Sequence, residues 1–316
     1  MSDQDGYRSY HGQPVLKEPI WTWEIPCYFF TGGLAGASAG LAYLSGLRGN
    51  EVLARRAWGS ALVGLTVSPA LLTSDLGKPE RFLHMLRMFK VSSPMSVGSW
   101  ILVASAGTTA LANADAWLGL FPRLGRLARP AAAILGLPLS TYTAALVSNT
   151  AVPVWHEAHR ELPFVFGAGA ALSAGATAVA VTPPADAAPA RRLALASAAL
   201  ELGMNELMKR ALHEHGQPYD AGPAARFRRA SFACIATGAA LLAARGSSRA
   251  GAVAAATLLC SGALGARWSV FKAGIASASE PEYVVGPQRE AIDRGRRRGA
   301  SRSAPAKPAL SKRALS

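Results

Sequence analysis

Charge is scarce in this sequence, and what there is gathers in a few places. Charged residues make up 16% of the chain and hydrophobic residues 50%, well short of the roughly one-quarter charged residues of an ordinary soluble domain. Cysteine is nearly absent. Cys27, Cys234 and Cys260 lie far apart in apolar stretches, so no disulfide framework, metal-ligand spacing or iron–sulfur motif is legible. Histidine is missing from the middle of every apolar run: His11, His84, His156, His159, His213 and His215 all fall in terminal or loop-proximal segments. A haem inside a helical bundle needs paired imidazoles there, which argues against a haem-carrying chain. The polar start, 1–19, lacks the basic start, apolar stretch and small-residue cleavage site of a signal peptide. Insertion is therefore expected to use the first apolar helix itself.

What is present is a series of long apolar segments. They run over about 25–47, 57–74, 95–118, 130–152, 162–181, 193–208, 229–244 and 250–272. Their lengths suit helices crossing a hydrocarbon core, and lipid admits only helices or a closed barrel. Segments this long exclude barrel strands. Trp21 and Trp23 mark an interface before the first segment, and Gly32, Gly33, Gly36 and Gly40 give it a smooth packing face. The sixth segment is interrupted by Glu201, Asn205 and Glu206, and the seventh is short. The expectation is an all-α integral membrane protein of eight transmembrane helices, with a polar N-terminal segment at 1–20 and a disordered basic tail at 276–316.

The net charge of +14 raises the possibility of nucleic acid, but much of it sits in that Ala/Pro/Ser-rich tail. A tail touching anionic lipid is the simpler reading, and no nucleic-acid partner is expected. The loops on the side shared by both termini and the opposite loops are nearly matched in Lys and Arg. The opposite loops carry Arg48, Arg55, Arg56, Arg123, Arg126, Arg129, Arg191, Arg192, Arg245 and Arg249. Eleven basic residues from Arg267 onward tip the balance toward cytoplasmic termini in a bacterial plasma membrane.

Polar side chains near segment ends carry the chemistry. Glu24 and Tyr28 lie four apart on one helix face. Asp75 closes the second segment, where an acid is costly without a partner or a task. Trp100 opens the third, and Tyr142 lies in the fourth, which ends near Trp155. In an up-and-down topology these converge at one membrane face. An acid, two phenols and an aromatic wall suit a quinone, whose carbonyls need hydrogen bonds and whose ring and tail need apolar contact. The competing readings are an aromatic belt for Tyr28, Trp100, Tyr142 and Trp155, and an ion pair with Lys78 or Arg81 for Asp75. Glu201 with Asn205, inside the sixth segment, joins Asp75 as a proton-path candidate; an ordinary interhelical hydrogen bond is the alternative for Glu201. No metal site is expected. A transporter or permease also fits several spans with intramembrane acids, although no repeat between the halves is evident.

Four stretches carry a resemblance: WTWEIPCYFFTGGLAG at 21–36, SDLGKPERFLHMLRMFKVSSPMSVGSW at 74–100, YTAALVSNTAVPVW at 142–155 and RWSVFKAGIASASEPEYVVGPQR at 267–289. They resemble the NrfD/PsrC family, the integral membrane subunits of polysulfide-reductase-type molybdenum oxidoreductases. The resemblance implies two four-helix bundles, 21–156 and 157–275, with a quinol site near the face where an iron–sulfur subunit docks. It places quinone-contacting positions at Tyr28 and Tyr142, with Glu24 adjacent. Where some relatives carry His this chain has Tyr28, and apolar Ile25 replaces another polar position. Implied cofactor and partners are a quinone such as menaquinone, a ferredoxin-like iron–sulfur subunit and a molybdopterin-type catalytic subunit. With neither haem nor an iron–sulfur cluster in the chain itself, electrons would come from or go to that partner. Gly77 and Pro79 are expected to end the second helix, and a short helix from Pro79 to carry Arg81, His84, Arg87 and Met88 at helical spacing. Lys78, Arg81, His84 and Arg87 are then the docking candidates.

Overall fold

A computed structural model describes residues 19–78 and 80–279, all of it helix and connecting loop. The N-terminal segment to residue 18, His11, Pro79 and residues 280–316, which hold most of the expected tail and the end of the fourth resembling stretch, lie outside the described residues.

Ten α-helices follow in order: α1 Glu24–Leu47, α2 Glu51–Asp75, α3 Glu80–Met85, α4 Pro94–Leu118, α5 Pro122–Ser148, α6 Pro153–Glu157, α7 Leu162–Val181, α8 Ala188–Ala211, α9 Gly222–Arg245 and α10 Arg249–Ser279. Two 3-10 turns, Ala158–Arg160 and His213–Tyr219, complete the described chain. Local chemistry sets the boundaries. Asn50 caps α2 by accepting from the Leu53 amide at 3.0 Å, and Pro94 follows the Ser93 cap of α4. Gly119, at φ 64°, ends α4 in the left-handed conformation that glycine adopts without strain.

Several helices outrun the apolar segments that announce them. α2 starts at Glu51 and α5 at Pro122, where Arg123, Arg126 and Arg129 precede the apolar run. Hydropathy marks only the hydrocarbon, whereas a helix continues through the headgroup layer with arginine side chains reaching outward. α10 likewise extends to Ser279, past the expected start of the tail. At the other end of α5 the helix stops at Ser148, short of 152, and the chain turns before Pro153.

α2, α4, α5, α7, α9 and α10 are long and apolar enough to cross a membrane by length and composition. α1 and α8 are of similar length but fall short. Gly, Ser and Thr dilute α1, while Arg191, Arg192, Glu201, Glu206, Lys209 and Arg210 interrupt α8. The chain is thus a multi-pass helical membrane protein.

α1 packs against α2 and α5, and α4 against the same two helices; α7 packs against α8 and α10, and α9 against these two. α1 also meets α7 and α10, and α5 meets α7. In lipid such contacts rest on close van der Waals fit rather than on water exclusion. Gly36 and Gly136 illustrate it: a Cβ on either would run into the backbone carbonyl of the other, so α1 and α5 cross with their backbones touching.

One buried cluster runs from Ile25 and Phe29 through Phe166 and Trp155 to Phe271. Phe29 and Phe166 rings lie 5.6 Å apart, and Trp155 stacks on Trp21 at 5.7 Å. Trp155 is fully buried and donates from Nε1 to the Val270 carbonyl at 2.8 Å. It is a core residue, not part of an aromatic belt.

At the end holding Asp75, the ion pairs of Asp220 with Lys209 (2.7 Å) and Arg228 (2.8 Å) join the end of α8 to the start of α9. At the opposite end, Asn50 donates to the Asp186 carbonyl at 2.9 Å, Arg191 to the Gly246 carbonyl at 3.2 Å and Arg249 to the Thr182 carbonyl at 3.1 Å. Two of the eleven basic residues counted toward the tail lie inside α10 instead: Arg267 is buried, and Lys272 sits over the Trp268 and Phe271 rings. The excess at the terminal side therefore rests on the nine basic residues from Arg289 onward.

Candidate functional site

The start of α1, the end of α2, the start of α4 and the end of α5 surround a cavity of about 270 Å³ at one end of the molecule. Tyr28, Asp75 and Tyr142, from three of these helices, all line it, and so does Arg81 from α3. The rest of the wall is mostly apolar, with Trp21, Ile25, Leu72, Met85 and Met95 among it.

Each polar group has a distinct setting. Tyr28 is buried to 1% exposure, and its hydroxyl has no hydrogen-bond partner among the described residues. The Tyr28 and Tyr142 rings meet edge to face at 6.5 Å. Tyr142 presses against α4 at Gly98, where a Cβ would collide with its ring. Asp75 Oδ1 accepts from the Thr22 amide at 3.3 Å and from Thr22 Oγ1 at 3.2 Å. Among the described residues Asp75 makes no ion pair, so the expected alternative with Lys78 or Arg81 is not formed. Arg81 instead reaches the Leu76 carbonyl at 3.5 Å.

Glu24 and Trp100 do not line the cavity. Glu24 is half-buried and meets the hydroxyl of Thr22, the residue that also serves Asp75. Trp100 is 40% exposed, donates to the Met88 carbonyl at 3.4 Å and sits edge-on to Phe89. It pins the loop after α3 to α4, with Ser96 Oγ donating to the same Met88 carbonyl at 2.8 Å.

Lys78, Arg81, His84 and Arg87 are all exposed on the loop and short helix after α2. Their common helical face is shorter than expected. α3 ends at Met85, so Arg87 and Met88 lie beyond it. The Met88 carbonyl is taken by α4 side chains, and the chain turns there instead of continuing as helix.

Glu201 and Asn205 lie elsewhere. Glu201 is wholly buried in α8, with neither carboxylate oxygen hydrogen-bonded among the described residues. Asn205 donates to the Glu201 backbone carbonyl at 2.9 Å, within its own helix. The nearest charge is Arg267 of α10, 2% exposed, which donates to the Phe166 carbonyl at 2.7 Å and lies 4.2 Å from that ring. Sequence reasoning missed Arg267 and Thr22. An arginine inside an apolar run was the available signal for the first; a threonine beside two tryptophans gives none for the second. Among the described residues no group of three or more His, Cys, Asp or Glu side chains is placed to hold a metal ion.

A many-helix membrane protein with a polar-tipped, apolar-walled cleft at one end is the class these features define. The chain belongs to the NrfD_2 polysulfide reductase family, whose model matches residues 9–279. No curated protein matches it.

Proposed function

We propose that the chain is the quinone-interacting membrane anchor of a multi-subunit oxidoreductase. In this reading it exchanges electrons between a quinone, such as menaquinone, and a partner's iron–sulfur clusters, while a molybdopterin-type subunit acts on the terminal substrate. Family membership supports the membrane-subunit role. The observation that carries the quinone role is the convergence of Tyr28, Asp75 and Tyr142 on one largely apolar cavity.

The residues present fit such a molecule. Tyr28 and Tyr142 line the cavity as the phenols that would stand beside the quinone ring, and the apolar wall suits ring and tail. A bound quinol supplies two electrons and two protons. Asp75, held by Thr22 at the cavity rim, is positioned to take or return a proton. Tyr142, backed by Gly98, fixes the width of the cleft, and Arg81 brings positive charge to its mouth. Glu24, through Thr22, supports the same rim, and Trp100 holds the neighbouring loop. The exposed Lys78, Arg81, His84 and Arg87 suit docking of an acidic ferredoxin-like subunit close to the cavity.

We further read α1, α2, α4, α5 and α7 to α10 as eight spans, in two four-helix units at 21–156 and 157–275. α1 is included because it packs against four of the apolar helices, and α8 because its acid and its neighbours are buried against α7. The membrane is read as the bacterial plasma membrane, with cytoplasmic termini. Glu201, with Asn205 beside it, is a second proton-handling candidate, separate from Asp75.

The test is purification of the chain from its native membranes with whatever remains bound. An iron–sulfur subunit should accompany it, and quinol should reduce that subunit. Asp75→Asn keeps an acceptor for Thr22, so the complex should assemble while quinol-linked turnover falls by about 10²-fold, the usual scale for losing a general acid–base. Normal turnover in an assembled D75N complex would remove Asp75 from the mechanism. Absence of any iron–sulfur partner would sink the anchor role.

A further inference from the structure

All ten basic residues at the end opposite Asp75 are arginines; none is lysine. A second cavity, of about 150 Å³, opens at that end, lined by residues of α1, α2, α4 and α5. Tyr43, Glu51, Arg55, Trp58 and Arg129 supply its functional groups.

Two of these arginines are held in place by other groups. Arg129 Nη2 pairs with Asp115 Oδ2 at 3.0 Å, and its buried Nε has no hydrogen-bond partner among the described residues. Gly125 lets α5 approach Asp115 this closely, since a Cβ there would collide with that carboxylate. Arg55 lies 5.9 Å from the Trp117 ring, whose Nε1 donates to the Arg55 carbonyl at 3.1 Å. Arg56 stacks over the same ring at 5.6 Å. One aromatic side chain of α4 thus contacts two guanidinium groups of α2, of which Arg55 lines the cleft.

We propose that this cleft binds the phosphate of an anionic phospholipid headgroup, with phosphatidylglycerol as the fitting chemistry. A guanidinium presents paired N–H donors that match two phosphate oxygens, which a lysine ammonium cannot do. Arg55 supplies such donors in the cavity lining, Arg129, held on Asp115, adds a second positive charge beside it, and the ten arginines make this end strongly basic. Glu51, lining the same cavity, accepts from a hydroxylated headgroup, while choline has no donor to offer it. Tyr43 and Trp58 give the glycerol backbone an amphipathic wall. Free phosphate shares the recognised group but lacks the glycerol and acyl chains of the lipid.

The test uses the full-length protein in neutral detergent, titrated with phosphatidylglycerol, phosphatidylcholine or inorganic phosphate alone, and read by native mass spectrometry and thermal unfolding. Phosphatidylglycerol should be retained and raise the unfolding midpoint; phosphatidylcholine should do neither. Arg55→Gln should weaken phosphatidylglycerol binding about tenfold, the scale of a lost charge-assisted hydrogen-bond pair. Arg126→Gln, at an exposed arginine of the same end outside the cavity, should leave it unchanged. Arg55→Lys preserves charge and fold, so weakened binding there supports recognition by the guanidinium fork. Wild-type binding by R55K, or equal losses in R55Q and R126Q, would reduce the site to general surface charge and overturn the proposal. So would equal stabilisation by inorganic phosphate alone, which would make this a phosphate site and not a lipid site.

Discussion

Glu201 and Arg267 approach each other across a glycine. A Cβ built on Gly169 of α7 would lie 2.6 Å from Glu201 Oε1 and 2.6 Å from Arg267 Nη2. Three helices therefore meet at a point where two opposite charges are buried and where no side chain fits between them. The arginine has carbonyl acceptors at Val165 and Phe166, whereas the carboxylate oxygens have no donor among the described residues. The carboxylate is the more dependent partner.

That asymmetry predicts unequal costs. Arg267→Met strips Glu201 of the opposite charge that faces it among the described residues and should cost about 3–5 kcal/mol, as when one member of a buried pair is removed. Glu201→Leu leaves Arg267 with two carbonyls and should cost less. The double variant should recover much of the R267M loss. Unfolding in mild detergent, analysed as a double-mutant cycle, measures this. Strict additivity would show that the two charges do not interact.

The sequence made the helices legible because length and hydropathy report the hydrocarbon directly. It also made Tyr28, Asp75 and Tyr142 legible as a group, since each lies near one end of a span and an up-and-down chain brings those ends together. It failed where tertiary packing decides. Trp155 reads like an interface aromatic, yet Gly274 opens a slot in α10 that admits its ring to the core. Trp100 reads like a pocket wall, but its indole is taken by the Met88 carbonyl. Arg267 reads as one of the basic residues toward the tail, because one-dimensional charge patterns carry no burial. The pairing of Thr22 with Asp75 spans 53 residues, and neither composition nor local spacing encodes such a contact.

Asp220 outside the spans should make the join between α8 and α9 acid-sensitive. Partial burial of its carboxyl acts to raise the pKa, but the hydrogen bond and charge of Lys209, joined by Arg228, outweigh this and hold it below the ordinary aspartate value. A depressed folded-state pKa means stability that is present above the unfolded-state value and lost as pH falls through the folded-state one. The window is therefore below about pH 4. The side chain is half exposed, so the effect should stay within about 1 kcal/mol. Asp220→Asn should flatten the acid limb of a melting-temperature profile while leaving the midpoint near neutral pH slightly lower. An unchanged acid limb would mean that the triad contributes nothing to folding.

Gly98 tests the width of the cavity without touching any polar group. On α4 it is the position against which the Tyr142 ring rests, and a methyl there would overlap the ring. Gly98→Ala should push that ring toward Tyr28 and narrow the cleft, with a packing cost of about 1–3 kcal/mol. The expected readout is a rise of about tenfold in the quinol KM of the assembled complex, equivalent to about 1.4 kcal/mol of lost binding. Gly107→Ala on the same helix is the control, because a Cβ at that position meets nothing within 4 Å. It should assemble and turn over as the unsubstituted protein does. If G98A folds and its KM stays at the G107A value, Tyr142 does not bound the quinol site, and the cavity serves some other occupant.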